Sequence, residues 1–203
     1  MSRHSKTLIA QEAARILLES GKHDYQSAKV KAAERLGIHE RGNLPRNEEI
    51  EAALREYQRL FRSDSQPGAL AELREVAIKA MELLQTFEPR LVGPVLAGTA
   101  DEGDPVNLHV FADTAEEVAL FLMDRHIPYQ TGERQYRISA QRRDLPRETR
   151  SMYRFFAGDT PIEITVFPLD GLRRPPLSPV DGKPMRRADL ATVRALTPLV
   201  DQA

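Results

Sequence analysis

The N-terminal third of the chain places apolar residues three and four apart, the spacing that lays one apolar stripe along a helix. Leu8, Ile9, Ala13, Ile16 and Leu17 share such a face, and Gly21 stands where that helix would stop. Asp24 is placed to cap a second helix carrying Ala28, Ala32 and Leu36, with Gly37 at its end. After a loop holding Gly42 and Pro45, Asn43 or Asn47 opens a third helix. Its stripe of Ile50, Ala53, Leu54, Tyr57, Leu60 and Phe61 demands a core or a partner. Serine, proline and glycine then cluster over residues 63–68 in the manner of a linker. The fourth helix presents Leu70, Leu73, Ala77, Ala80, Leu84 and Phe87, and Pro89 blocks its continuation.

Beyond Pro89 the pattern shortens to strand-like runs. Residues 91–97 and 106–112 predict neighbouring strands, and Asp113 or Thr114 caps a helix that uses Val118, Leu120, Phe121 and Leu122 and ends near Arg125. Thr131-Gly132 predicts a turn between residues 128–130 and 135–138, and Gly158-Asp159 a turn between 152–156 and 162–167. The alternation of residues 162–167 suits a half-buried strand. A proline-rich stretch without period, residues 172–187, leads to a last helix at 189–196. No internal repeat is visible. The expected fold class is therefore α+β: a helical extension over 1–65 and a small mixed β-sheet module over 66–203, with the helix of residues 68–87 belonging to the sheet.

Composition narrows the function classes. A chain of 203 residues with 41% hydrophobic and 29% charged residues can bury a core without staples. The absence of cysteine excludes disulfides, thiolate metal sites, iron-sulfur clusters and cysteine nucleophiles. No signal-peptide stretch opens the sequence, and no apolar run approaches the roughly 20 residues that span a bilayer, so a cytoplasmic protein is expected. With a formal net charge of −1, attraction to nucleic acid must come from a local patch.

One segment carries a motif: Val95-Leu-Ala-Gly-Thr-Ala-Asp-Glu-Gly-Asp-Pro-Val-Asn-Leu-His-Val-Phe-Ala-Asp113. It resembles the opening of the DNA polymerase beta-like nucleotidyltransferase fold, in which a helix and strand lead to a Gly-Ser turn for the triphosphate, a second strand carries paired aspartates for magnesium, and a later strand supplies a third acid. Gly98 and Thr99 match the turn, where glycine lets backbone amides approach a phosphate and a hydroxyl adds a donor. Aligned on its apolar residues, the second strand places Pro105 and Asn107, or Asn107 and His109, at the paired acids, so neither alignment keeps two aspartates. Glu163 matches the third acid, with a solvated strand residue as the alternative. Asp101 and Asp104 stand in for the missing pair if their turn folds inward; otherwise they belong to a solvated acidic turn. The resemblance covers roughly residues 70–168. Together with residues 44–50 and 176–185, it makes the chain similar to small bacterial proteins described as nucleotidyltransferase-like, a likeness that implies fold more than activity.

A basic stretch follows: Arg134, Arg137, Arg142, Arg143, Arg147, Arg150 and Arg154, interleaved with Tyr136, Tyr153 and Phe155. Arginines there suit phosphates and the aromatics suit bases; equally, the arginines could pair with the acidic helix of residues 113–124. Arg173, Arg174, Lys183, Arg186 and Arg187 form a second basic cluster. Residues 32–38 look like the start of a helix-turn-helix, but the connection over 37–46 is too long for its tight turn. The five histidines lack zinc spacing, and no serine-hydrolase elbow, P-loop or dinucleotide fingerprint occurs.

Taken together, the resemblance implies a nucleotide- or RNA-phosphate-binding module centred on Gly98, Thr99, Asn107 and His109, either active or a pseudoenzyme. If active, magnesium would be held by Glu163 with Asp101 or Asp104, and the reaction would be in-line nucleotidyl transfer. The rival expectation is an interaction protein whose amphipathic helices over 47–61 and 68–87 recruit a protein partner or a second copy.

Overall fold

The computed structural model describes residues 3–20, 24–38, 44–138 and 147–197. The chain forms two compact units, Met1–Gly68 with Pro179–Asp181, and Ala69–Ser178 with Gly182–Ala203. Among the described residues no helix is long and apolar enough to cross a membrane.

The first unit holds α1 (Arg3–Ser20), α2 (Tyr25–Arg35) and α3 (Asn47–Phe61). Ile9, Ala13 and Leu17 of α1 meet Ala28 and Ala32 of α2 and Ile50 and Leu54 of α3 in one core, the alanines letting the helix axes approach closely. Asp24 accepts from the Ser27 amide at 3.1 Å and so starts α2. At α3 the Glu49 carboxylate reaches back to the Arg46 amide at 2.6 Å, which places the helix start at Asn47 rather than Asn43, a residue outside the described ones. The unit also buries polar groups with partners: the Lys29 ammonium donates to the Pro45 carbonyl at 2.9 Å, and the Tyr25 hydroxyl donates to Glu51. From the proline-rich stretch, Pro179 accepts from Asn47 Nδ2 at 2.5 Å and Val180 packs on this core.

The second unit contains α4 (Gln66–Leu83) from Ala69 onward, β1 (Arg90–Val92), α5 (Gly93–Ala97), β2 (Val106–Phe111), α6 (Ala115–Asp124), β3 (Gln130–Tyr136), β4 (Glu148–Ala157), β5 (Thr160–Phe167) and α7 (Leu190–Leu196). Its α+β architecture rests on a five-stranded mixed sheet of order β1-β2-β5-β4-β3. Only β2 and β5 run parallel; the other neighbours are antiparallel. One face of the sheet is apolar: Leu91, Val106, Leu108, Val110, Tyr153, Phe155, Ile162 and Ile164 pack with Leu73, Ala77 and Met81 of α4 and with Val118 and Leu122 of α6.

Two local expectations are corrected. Residues 91–97 are not one strand, because Gly93 takes φ +73° and Pro94 follows at the first turn of a helix, where its ring and missing N–H suit α5. Thr131-Gly132 is no turn; both residues lie within β3, paired with Tyr153 and Met152 of β4. The chain between β3 and β4 includes residues 139–146, which lie outside the described ones. Gly158, at φ +61°, does sit in the turn that joins β4 to β5, whose last pair is Ala157 with Thr160.

Candidate functional site

Strand parity decides which side chains can act together. On β2, Asn107 and His109 alternate with the buried Leu108 and Val110 and so point away from the apolar core. Register then brings Glu163 and Thr165 of β5 beside them, and sets Arg154 and Met152 of β4 against those two. Arg134 of β3 lies opposite Arg150 on the same face. The second face of the sheet is thus polar and arginine-rich.

Its centre is a bridge. The Arg134 guanidinium donates from Nη1 to Asn107 Oδ1 at 2.9 Å and from Nη2 to Glu163 Oε2 at 2.6 Å. Arg154 Nη1 lies 3.9 Å from the other carboxylate oxygen, Oε1. The Asn107 amide is held in this orientation because its Nδ2 donates to the Pro105 carbonyl at 3.0 Å. Beside the bridge, Arg150 pairs with Glu148 and stands over the Phe167 ring at 5.7 Å. Arg134, Arg150 and Arg154 therefore find their carboxylates on β4 and β5 rather than on α6.

A buried relay adjoins the bridge. Arg187 donates from Nε to His109 Nδ1 at 3.1 Å and from Nη1 to the Gly171 carbonyl at 2.6 Å, while its guanidinium lies 5.0 Å from the ring centres of both Phe111 and Phe167. His109 Nε2 is 3.3 Å from the Tyr136 hydroxyl, which in turn is 3.2 Å from Thr165 Oγ1. Arginine has no acceptor to offer, so Nδ1 must carry the lone pair and Nε2 the proton. Tyr136 then accepts from His109 and donates to Thr165. Burial, reinforced by the charges of Arg187 and Arg134, holds the imidazole well below its ordinary range. Burial likewise pushes Arg187 down to about 10, which leaves it charged at neutral pH.

Arginine donors at this face stay unpaired among the described residues. Arg150 Nε, Arg154 Nε and Arg187 Nη2 are buried without a hydrogen-bond partner among the described residues. The aromatic residues expected to stack on bases are covered: Tyr136 lies on this face but is buried against His109, whereas Tyr153 and Phe155 pack in the core of the other face, and the three are 8%, 7% and 4% exposed. Phe156 is the exposed ring, at 56%, and the Arg154 guanidinium lies 5.6 Å from its centre. Two residues past Arg154 on a strand, Phe156 shares its face; that parity is the signal by which the sequence would have revealed it.

The Gly98-Thr99 turn is built differently from a phosphate cradle. Gly98, at φ +81°, ends α5, and the amides of Gly98 and Thr99 both donate to the Pro94 carbonyl, at 2.8 and 3.0 Å. Asp104 accepts from the Asp101 amide at 2.9 Å, and Asp101 accepts from the Glu102 amide at 2.9 Å, so the acidic turn caps itself and both aspartates are buried. Among the described residues no three histidine, aspartate or glutamate side chains form a metal-holding group. The oxygens at Asn107 and Glu163 do not fit magnesium as they stand, because one is a neutral amide and the carboxylate already faces two guanidinium groups.

Arg137, Arg173, Arg174, Lys183 and Arg186 are exposed, with Arg174 Nη1 3.7 Å from Asp170. Arg142 and Arg143 lie outside the described residues. Sequence reasoning placed Asn107, His109 and Glu163 near one another but missed Arg134 as the bridge between Asn107 and Glu163, Tyr136 and Arg187 as the partners of His109, and Thr165 as the partner of Tyr136.

No protein-family model matches this chain, and no curated protein matches its sequence.

Proposed function

We propose that this chain binds a nucleotide or RNA through phosphate on the arginine face of its sheet, as a nucleotidyltransferase-like protein that does not itself transfer nucleotides. The observation that carries this reading is the set of unpaired donors: Arg134, Arg150 and Arg154 share one face with Glu163 and Glu148, and two of their buried N–H groups have no acceptor among the described residues. An anion supplies acceptors, and phosphate oxygens match the guanidinium fork. Phe156 beside Arg154 adds a flat apolar surface on which a base can stack. The resemblance of residues 95–113 to the nucleotidyltransferase opening supports the same ligand class. The committed amides of Gly98 and Thr99 and the self-capped turn of Asp101 and Asp104 favour binding over catalysis.

Calorimetry and fluorescence anisotropy with nucleoside triphosphates and a single-stranded RNA, each with and without magnesium, test the proposal. Magnesium-independent binding that falls steeply with salt and weakens in Arg154→Ala supports it. Incorporation of labelled nucleotide that requires magnesium and is lost in Glu163→Gln would restore the enzyme, and no binding of either ligand would remove the proposal altogether.

A second reading rests on the first unit. The α3 stripe is only half covered: Ile50 and Leu54 are buried, whereas Leu60 and Phe61 are 55% and 70% exposed beside a groove of about 790 Å³ lined also by Leu8, Leu36 and Tyr57. An apolar surface of this kind suits a protein partner or a second copy. Sedimentation of the wild type against Leu60→Ser/Phe61→Ser decides whether it drives self-association.

A further inference from the structure

We infer that the first unit pairs with a second copy of this chain, α3 lying antiparallel on the α3 of the other copy, so that Leu60 and Phe61 of each enter the groove of the other. This rests on the reading of the first unit as a protein-binding surface and adds which protein it takes.

Shape points to a second copy. Among the described residues the exposed large hydrophobics of the first unit are Leu8, Val30, Leu36, Leu60 and Phe61, and all but Val30 line one groove of about 790 Å³. Phe61 projects at 70% exposure, yet its ring is held, with the Tyr57 ring 4.7 Å away. A side chain ordered before contact loses little freedom on binding. The projecting pair and the groove share one helix, so each copy offers both halves of a contact. A two-fold axis joins them twice, as an isologous interface requires. Ala52 and Ala53, near the middle of α3, also line the groove and let a second helix come close.

Charge sets the direction. Residues 47–51 carry Glu48, Glu49 and Glu51 and no base, whereas residues 55–61 carry Arg55 and Arg59 against Glu56 alone. Antiparallel packing lays the acidic end of each helix against the basic end of the other; parallel packing would set acid against acid. Pairs within the helix leave donors for this. Arg59 gives Nε and Nη2 to Glu56, which leaves Nη1, and Arg55 stands 3.6 Å from Glu51 with its side chain exposed. Such exposed pairs along one helix contribute little by themselves. The result is an apolar centre with a charged rim, the anatomy of a homodimer contact.

Sedimentation equilibrium on the full chain, with circular dichroism to check folding, is the test. Wild type should form a dimer whose share rises with concentration. Two charge variants should each weaken it at least about tenfold: Glu48→Arg/Glu49→Gln, whose glutamine keeps an acceptor for the Arg46 amide, and Arg55→Glu/Arg59→Glu. Their equimolar mixture should recover the dimer, because each supplies the sign that the other has lost, and that recovery also shows both to be folded. A wild type still monomeric at about 1 mM, where even a millimolar affinity would populate the dimer, would overturn the inference. A dimer lost in Leu60→Ser/Phe61→Ser but not recovered by the charge mixture would overturn the antiparallel pairing and leave the protein-binding reading in place. A dimer that survives Leu60→Ser/Phe61→Ser would overturn both.

Discussion

Arg187 donates its Nε–H to His109 Nδ1 across 3.1 Å, and this contact sets the protonation state of a buried imidazole. The ring presents a lone pair to the arginine and a proton to Tyr136, and a second proton at Nδ1 would point donor at donor. The charges of Arg187 and Arg134 oppose protonation further.

Stability should accordingly depend on pH through His109. Its folded pKa is depressed well below 6.5 whereas the unfolded chain titrates near 6.5, so the unfolded state binds more protons in acid. The contribution is complete above about 6.5 and is lost as pH falls below it. Urea denaturation of wild type between pH 7.5 and 5, set beside His109→Gln, should show a steeper decline for wild type. Parallel curves would remove His109 as the cause.

Tyr136→Phe should cost about 1–3 kcal/mol of stability, since it strands both the His109 Nε2 proton and the Thr165 hydroxyl in a buried setting. Adding Thr165→Val should cost little more, because the hydroxyl it removes has already lost its partner. Chemical denaturation of the two single variants and the double variant measures the coupling.

The Arg134 and Glu163 pair should show a coupling of about 1 kcal/mol in a double-mutant cycle with Arg134→Ala and Glu163→Gln, because it is charge-assisted yet half-exposed on the arginine side. Raising the salt concentration should reduce the coupling only partly. A coupling near zero would make the contact incidental.

Phe155 and Phe156 should separate folding from binding. Phe155→Ala empties a core position and should cost about 3–5 kcal/mol of stability. Phe156→Ala should leave stability within about 0.5 kcal/mol while weakening single-stranded RNA by about 1–3 kcal/mol, the range for one lost base stack. Thermal melts and anisotropy titrations on the two variants read these effects independently.

Local chemistry made much of the chain legible. The three-and-four spacing of α3 depends on neighbours within a few residues and the sequence displays it, whereas the reach of Glu49 back to Arg46, which settles the start between Asn43 and Asn47, showed only in the structure. The alternation of Ile162, Ile164 and Val166 likewise announced β5, but the strand is not half-buried as expected, because Thr165 and Phe167 on its other face are buried too. A five-residue apolar run is ambiguous between strand and helix, and Pro94 tipped residues 93–97 to helix. Thr131-Gly132 carries turn residues, yet pairing with β4 along the whole of β3 overrode that local preference.

Only the tertiary structure decided the site. Which of Tyr153, Arg154, Phe155 and Phe156 faces outward depends on the register of β4 against β5, and a shift of one residue would reverse all four. Arg134 meets a carboxylate 29 positions away because β4 lies between its strand and β5, an order no spacing along the chain encodes. Thus the sequence by itself determined the helices other than α5, most strands and the side of β2 on which Asn107 and His109 lie. What neutralises Glu163 and what keeps His109 uncharged follow from contacts between distant segments, because charge and hydrogen bonding act through space.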